Sequence, residues 1–199
     1  MPKPPEWKFW LLLVAAGALG LLVGNYGPQL LAGLLAQALG REGPQDLGEA
    51  VLAAQGVRHA LRHTLTGLVF GASQWLLLRK VVRRAGWWVV AFGVGWGLAG
   101  LIPHKDSFPT QGAMIGAVSG GLAGVAQWFM LRKQVARAGW WVLASFIGTA
   151  GGWAAGFVVA GLGESRLFYL AGNLVVGGVT AGLTGLVLLW LLRSRNSSR

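Results

Sequence analysis

Two glutamines are the side chains best suited to chemistry in this otherwise apolar chain. Gln74 begins a fifteen-residue stretch that ends at Trp88, and Gln127 begins a near copy 53 residues later that ends at Trp141. Each glutamine precedes the first arginine of its copy by five residues, which is about 7.5 Å along a helix. At that depth below a membrane surface, an uncharged amide has two uses. It can bond to another helix for about 0.6–2 kcal/mol, or it can line a polar path for a solute.

A short basic turn follows each glutamine and lies between tryptophans. Bases held on one side of a membrane set the topology of the protein, and indole rings anchor helices at headgroup depth. The same bases suit anionic lipid headgroups, at about 1 kcal/mol of attraction each. The candidate headgroup residues are Arg79, Lys80, Arg83, Arg84, Arg132, Lys133 and Arg137. The candidate interfacial anchors are Trp75, Trp87, Trp88, Trp128, Trp140 and Trp141.

Other motifs carry less chemistry. His59 and His63 are four residues apart and share a helix face, which would suit haem or metal, but no carboxylate or thiol is placed to complete a site. The stretch 95–100 fits G-x-G-x-x-G, yet a dinucleotide site also needs a βαβ unit and an acid about 20 residues on. No catalytic set of side chains is recognisable. We therefore expect a protein that is not an enzyme, with no metal or cofactor.

The composition indicates a membrane protein. Of the 199 residues, 54% are hydrophobic and 12% are charged, and the mean hydropathy is +0.57, all outside the range of soluble domains. The absence of cysteine excludes disulfides and thiolate sites. The central parts of the apolar stretches hold no Asp, Glu, Lys or Arg, which argues against an ion-coupled transporter.

The apolar stretches predict an all-α, polytopic membrane helix bundle that forms one integral membrane domain over residues 1–199. A polar break at 24–28 ends the first stretch, and an extracytoplasmic amphipathic segment is expected over 28–56. A cleaved signal peptide is the alternative for the first span, since residues 36–38 resemble a cleavage site. The six predicted spans cover about 7–24, 60–79, 87–102, 112–132, 140–162 and 168–192.

The helices also repeat. The last stretch resembles the one that ends at Arg132, with Leu188 at the glutamine position, and the first stretch resembles the Gly-Trp-Trp helices. This pattern predicts three tandem two-helix repeats about an axis along the membrane normal. Glycines spaced by four, as at 112–124 and 148–156, predict close helix packing, although such faces would also accept a flat pigment or a partner helix.

The distribution of charge predicts the orientation. With the N-terminus inside, the inner loops and the tail 193–199 hold twelve bases and one acid, while the outer loops hold five of each. The whole net charge of +11 is then explained by the positive-inside rule, which predicts N-in/C-in topology and removes the case for nucleic acid as a partner.

Gln74–Arg79, Gln127–Arg132 and the two Gly-Trp-Trp motifs at 86–88 and 139–141 carry a resemblance. The chain resembles a group of uncharacterised bacterial multi-pass membrane proteins with repeated QWxxLR…GWW helical hairpins. The resemblance covers about residues 64–156 and implies a bacterial inner-membrane location but no activity.

We expect a structural, lipid-contacting or accessory subunit whose partners are anionic lipids, other membrane subunits or further copies of itself. A small channel or facilitator along the pseudo-symmetry axis is the alternative. A pigment- or haem-binding subunit is a weaker alternative.

Overall fold

The computed structural model describes residues 7–38, 48–102 and 109–194, without the side chains of residues 29, 31–38 and 48–56. Residues 39–47 of the segment expected over 28–56, the connection at 103–108 between the third and fourth predicted spans, and most of the predicted tail therefore lie outside the described residues. The described residues form helices, as the composition predicted. They are α1 (Trp7–Ala38), α2 (Gly48–Leu78), α3 (Gly86–Ala99), α4 (Pro109–Leu131), α5 (Gly139–Ala160) and α6 (Arg166–Ser194).

The six helices form a closed ring. Each packs against the next helix in the chain, and α6 returns to pack against α1. Ring closure is tight because Gly17 of α1 and Gly177 of α6 meet backbone to backbone: a Cβ added at Gly177 would lie 2.3 Å from the Gly17 carbonyl oxygen. The contact between α3 and α4 is the least extensive in the ring.

Polar and apolar side chains are distributed as expected for a membrane protein. Thr66, Gln74, Ser119 and Gln127 are among the buried polar residues, whereas the outer surface exposes large apolar ones such as Leu19. Exposed apolar surface on this scale marks contact with lipid rather than with water.

Within the described part of the chain, four helices are long and apolar enough to cross a membrane: α4, α5, α6 and the part of α1 over Trp7–Pro28. Two helices differ from the six-span prediction. α2 is long enough to cross a membrane but carries more polar residues than the other four, and α3 has only 14 residues. Fourteen residues span about 21 Å, which is less than the hydrocarbon thickness of about 30 Å.

The first helix does not end at the polar break that the sequence suggested. α1 stays helical through Pro28 to Ala38, so the start of the segment expected over 28–56 continues the same helix. Proline has no N–H to donate to the carbonyl four residues earlier, which here belongs to Gly24. Thr66 Oγ1 of α2 lies 3.1 Å from the Gly24 oxygen and can donate to it instead. Its single proton is shared with the Arg62 oxygen of its own helix at 2.9 Å and with Asn25 Oδ1 at 3.1 Å. A hydroxyl from a neighbouring helix is a known way to accommodate proline within a membrane helix.

Replacing Thr66 with valine tests this substitution of donors. Thr66→Val keeps the side-chain shape, and we expect it to lower the free energy of unfolding by about 1 kcal/mol because a buried carbonyl loses its donor. The measurement is denaturation of the purified protein in detergent micelles. Thr64→Val is the matched control, since Thr64 Oγ1 donates to Ala60 within its own helix. Equal losses in both variants would contradict the role given to Thr66.

The glycine faces are filled by neighbouring helices of the same chain. A Cβ at Gly116 of α4 would lie 2.5 Å from the Thr149 oxygen of α5, and one at Gly156 of α5 would lie 2.7 Å from the Gly172 oxygen of α6. These helices therefore approach closely enough that no side chain larger than hydrogen fits at these positions.

The two repeated turns lie at one end of the ring, together with the N-terminal end of α1 and the C-terminal end of α6. Gln134 bonds to Arg83 across the two turns, and the Arg137 guanidinium lies over the Trp190 ring of α6. We call this the basic end. Its described residues include no acid, and its bases are Lys8, Arg79, Lys80, Arg83, Arg84, Arg132, Lys133, Arg137 and Arg193.

Candidate functional site

Each glutamine bonds to the tryptophan fourteen residues after it. Trp88 Nε1 donates to Gln74 Oε1 at 3.0 Å, and Trp141 Nε1 donates to Gln127 Oε1 at 2.8 Å. Both bonds are buried, and they join the two helices of a hairpin, α2 to α3 in one copy and α4 to α5 in the other. The repeated sequence thus builds the same polar contact twice.

These two pairs meet inside the ring. The Trp88 and Trp141 ring centroids lie 5.0 Å apart, and Leu188 of α6 lies beside both rings. The space lined by Gln74, Trp88, Trp141 and Leu188 is about 10 Å³, which is at the lower limit for a single water molecule. Each glutamine therefore links the two helices of its hairpin through its Oε1 atom, whereas the Nε2 atom of Gln127 is buried without a hydrogen-bond partner.

The six predicted anchor tryptophans divide by their position in the motif. The first tryptophan of each Gly-Trp-Trp is exposed, Trp87 at 58% and Trp140 at 55%, as expected for an anchor. The second differs from the prediction: Trp88 and Trp141 are buried, because adjacent helix positions are about 100° apart and only one can face outward. Trp75 and Trp128 are half-buried, and each lies beneath an arginine.

The basic turns share an unusual backbone conformation. Arg84 has φ 57° and Arg137 has φ 37°, a left-handed region that non-glycine residues seldom adopt. The two arginines occupy the same position in the repeat, 53 residues apart. Each turn leads directly into the next helix. The Trp87 N–H donates to the Arg84 oxygen and the Trp140 N–H donates to the Arg137 oxygen, both at 3.1 Å.

Gln134 connects the two turns. Its Oε1 accepts from the Arg83 backbone N–H at 2.8 Å, and its Nε2 donates to the Arg83 oxygen at 3.2 Å. The equivalent residue in the first copy is Val81, so this contact breaks the repeat. Sequence analysis missed Gln134, although the departure from the repeat was a signal that could have found it.

A groove opens beside these turns between α3 and α4. Its volume is about 620 Å³, within the range of about 300–1,000 Å³ typical of small-molecule sites. Basic and polar residues of both turns, with one indole, surround its mouth: Arg83, Arg84, Trp87, Lys133 and Gln134. Apolar residues of α3 and α4 form its walls: Val90, Ala91, Val94, Ala126, Phe129 and Met130. We call this the basic groove.

The seven candidate headgroup bases take different positions around the basic groove. Three of them, Arg83, Arg84 and Lys133, line it. Arg79 stacks on Trp75 at 5.4 Å, and Arg132 stacks on Trp128 at 5.0 Å. Cation–π contacts of this kind fix a guanidinium at the interface.

Arg137 lies over Trp190 at 5.8 Å, and Lys80 is exposed at the turn. The structure therefore brings together bases from two turns that are far apart in the chain, and it gives several of the others an aromatic partner.

The two histidines lie elsewhere. His59 and His63 contribute to a second cavity at the end opposite the basic turns. Among the described residues, no three His, Cys, Asp or Glu side chains are grouped closely enough to hold a metal ion.

Comparison with known proteins gives no relative from which a role could be transferred. Neither a protein-family model, nor a curated protein, nor a solved structure matches this chain.

Proposed function

We propose that this chain is a non-enzymatic membrane protein of the bacterial inner membrane that binds anionic phospholipid in the basic groove. It would serve as a lipid-contacting, structural or accessory subunit. The observation that carries the proposal is the convergence of Arg83, Arg84 and Lys133 at the mouth of an apolar groove.

The chemistry of the basic groove matches the two parts of a phospholipid. Guanidinium and ammonium groups form short, charge-assisted hydrogen bonds with phosphate oxygens. Below them, Val90, Val94 and Phe129 present an apolar wall along which an acyl chain can lie. Trp87 is exposed beside the mouth, at the depth where indole rings prefer the headgroup region.

The proposed topology places this groove in the cytoplasmic leaflet. With N-in/C-in orientation and six spans built as three two-helix repeats, the basic end faces the cytoplasm. Anionic lipids give a membrane surface a negative potential that attracts such bases. The equivalent Gln–Trp bonds and left-handed arginines of the two hairpins support the repeat for α2–α5.

The structure favours lipid binding over a solute path. A channel along the axis would pass the level of Gln74 and Gln127, and the space that Gln74, Trp88 and Trp141 line there is about 10 Å³. Their Oε1 atoms are already bonded to the indoles of Trp88 and Trp141. A path would require both of these rings to move.

The test measures binding of phosphatidylglycerol, compared with phosphatidylcholine, to the full chain in nanodiscs by native mass spectrometry. We expect the triple variant R83Q/R84Q/K133Q to weaken phosphatidylglycerol binding by about 100-fold, because three bases at about 1 kcal/mol each are lost. The matched control K80Q/R132Q/R193Q removes the same charge from the same end and should change binding by less than about threefold if the site is local.

Two outcomes would contradict the proposal. Equal losses in the two triple variants would mean that the bases act only through general attraction to an anionic surface. Equal retention of both lipids by the wild-type chain would mean that the basic groove has no preference for an anionic headgroup.

A further inference from the structure

The second cavity lies at the end of the ring opposite the basic groove. Residues of α1, α2, α5 and α6 surround it, and its volume is about 380 Å³. This is within the range of small-molecule sites. Neither the lipid proposal nor the packing of the hairpins gives this cavity a role.

Flat aromatic surfaces form part of its wall. The His63 ring stacks on the Trp153 ring, with centroids 5.7 Å apart and planes 24° apart, and Trp153 lies 6.0 Å from Phe157. Gly156 of α5 and Gly172 of α6 also line the cavity, at the place where these two helices approach each other closely. A planar apolar group fits such a space because it can stack on the rings at close range.

The polar part of the lining consists of the Arg62 guanidinium and of side chains that already form hydrogen bonds. Asn25 Nδ2 donates to Asn173 Oδ1, and Asn173 Nδ2 donates to the Tyr169 oxygen at 2.8 Å. Arg62 adds a permanent positive charge. No Asp or Glu is present among the described residues of the lining. The electrostatics therefore favour an anion, and the rings favour an apolar body.

We propose that the second cavity binds a small planar anion with an apolar body, of the chemical class of aromatic carboxylates. The carboxylate pairs with the Arg62 guanidinium through charge-assisted hydrogen bonds. The ring lies against Trp153 and Phe157. This site does not depend on lipid binding at the basic end.

Isothermal titration of 2-naphthoate into the full chain in detergent tests the proposal. We expect saturable binding that weakens about tenfold or more in R62Q, because a charge-assisted pair is lost. R62K keeps the charge and should stay within about threefold of the wild type. R58Q removes a neighbouring exposed charge outside the cavity and is the matched control. The neutral analogue 2-naphthalenemethanol should bind about tenfold more weakly than 2-naphthoate.

Three outcomes would overturn the proposed site. They are a lack of saturable 2-naphthoate binding by the wild type, the same affinity in R62Q as in the wild type, and a loss of affinity in R58Q equal to that in R62Q. The triple variant R83Q/R84Q/K133Q separates the two sites, since it should lose phosphatidylglycerol but keep 2-naphthoate. Loss of 2-naphthoate in that variant would assign the anion to the basic groove instead.

Discussion

Replacing Gly152 with valine is expected to lower the free energy of unfolding by about 3 kcal/mol or more, as overpacking of a close helix contact does. A Cβ at this position would lie 2.3 Å from Thr180 Oγ1 and 2.8 Å from the Val176 oxygen. The second of these atoms belongs to the backbone of α6, so the two helices must move apart. In lipid, the stability of such a contact depends on packing rather than on exclusion of water.

The neighbouring glycine provides the control for this substitution. A Cβ at Gly151 meets nothing within 4 Å, and valine has a better helix propensity than glycine. Gly151→Val should therefore match or slightly exceed the wild type in thermal denaturation in detergent, while Gly152→Val melts far lower. A similar loss in both variants would mean that the helix is sensitive to any β-branched residue.

Removing both buried glutamines is the second large effect that we expect. The double variant Gln74→Leu and Gln127→Leu leaves the indole N–H groups of Trp88 and Trp141 buried without an acceptor. Each unpaired indole donor costs about 1–2 kcal/mol, but Gln127→Leu also removes the buried Gln127 Nε2 group, which has no partner, so the free energy of unfolding should fall by about 1–3 kcal/mol. Solute flux through vesicles that contain the protein should be unchanged if, as we propose, the glutamines stabilise packing rather than line a path.

A double-mutant cycle on one pair isolates the hydrogen bond from the change in shape. The cycle combines Gln127→Leu with Trp141→Phe. The loss in the free energy of unfolding of the double variant should be about 1 kcal/mol smaller than the sum of the two single losses, because no donor is left unpaired. Additive losses would show that the Gln127–Trp141 bond adds nothing to stability. Loss of solute flux in the double variant Gln74→Leu and Gln127→Leu would favour the channel over a role of the glutamines in packing.

Sequence patterns predicted the parts of this structure that depend on local properties. Long apolar stretches form helices because, without water, a helix satisfies its own backbone hydrogen bonds. The glycine spacing predicted close contacts, and these are present at Gly116 and Gly156. The duplicated motif predicted two similar hairpins, and the structure gives each the same Gln–Trp bond.

The partners of these residues could not be read from the same patterns. Trp87 and Trp88 are adjacent and identical, yet one is 58% exposed and the other fully buried. Which tryptophan faces the glutamine depends on how α3 is rotated against α2, and this follows from the packing of the whole ring. The same holds for the basic groove, which lies between α3 and α4 at the end where Gln134 joins the two turns.

The sequence by itself determined that this is a helical membrane protein with a repeated hairpin and bases concentrated in the turns, because composition and periodicity are properties of neighbouring residues. The tertiary structure decided that α1 continues past Pro28, where a hydroxyl from Thr66 reaches the Gly24 oxygen. It also decided that three of the bases meet at one apolar groove. Contacts between residues forty or fifty positions apart depend on how rigid helices pack, and no local pattern specifies that.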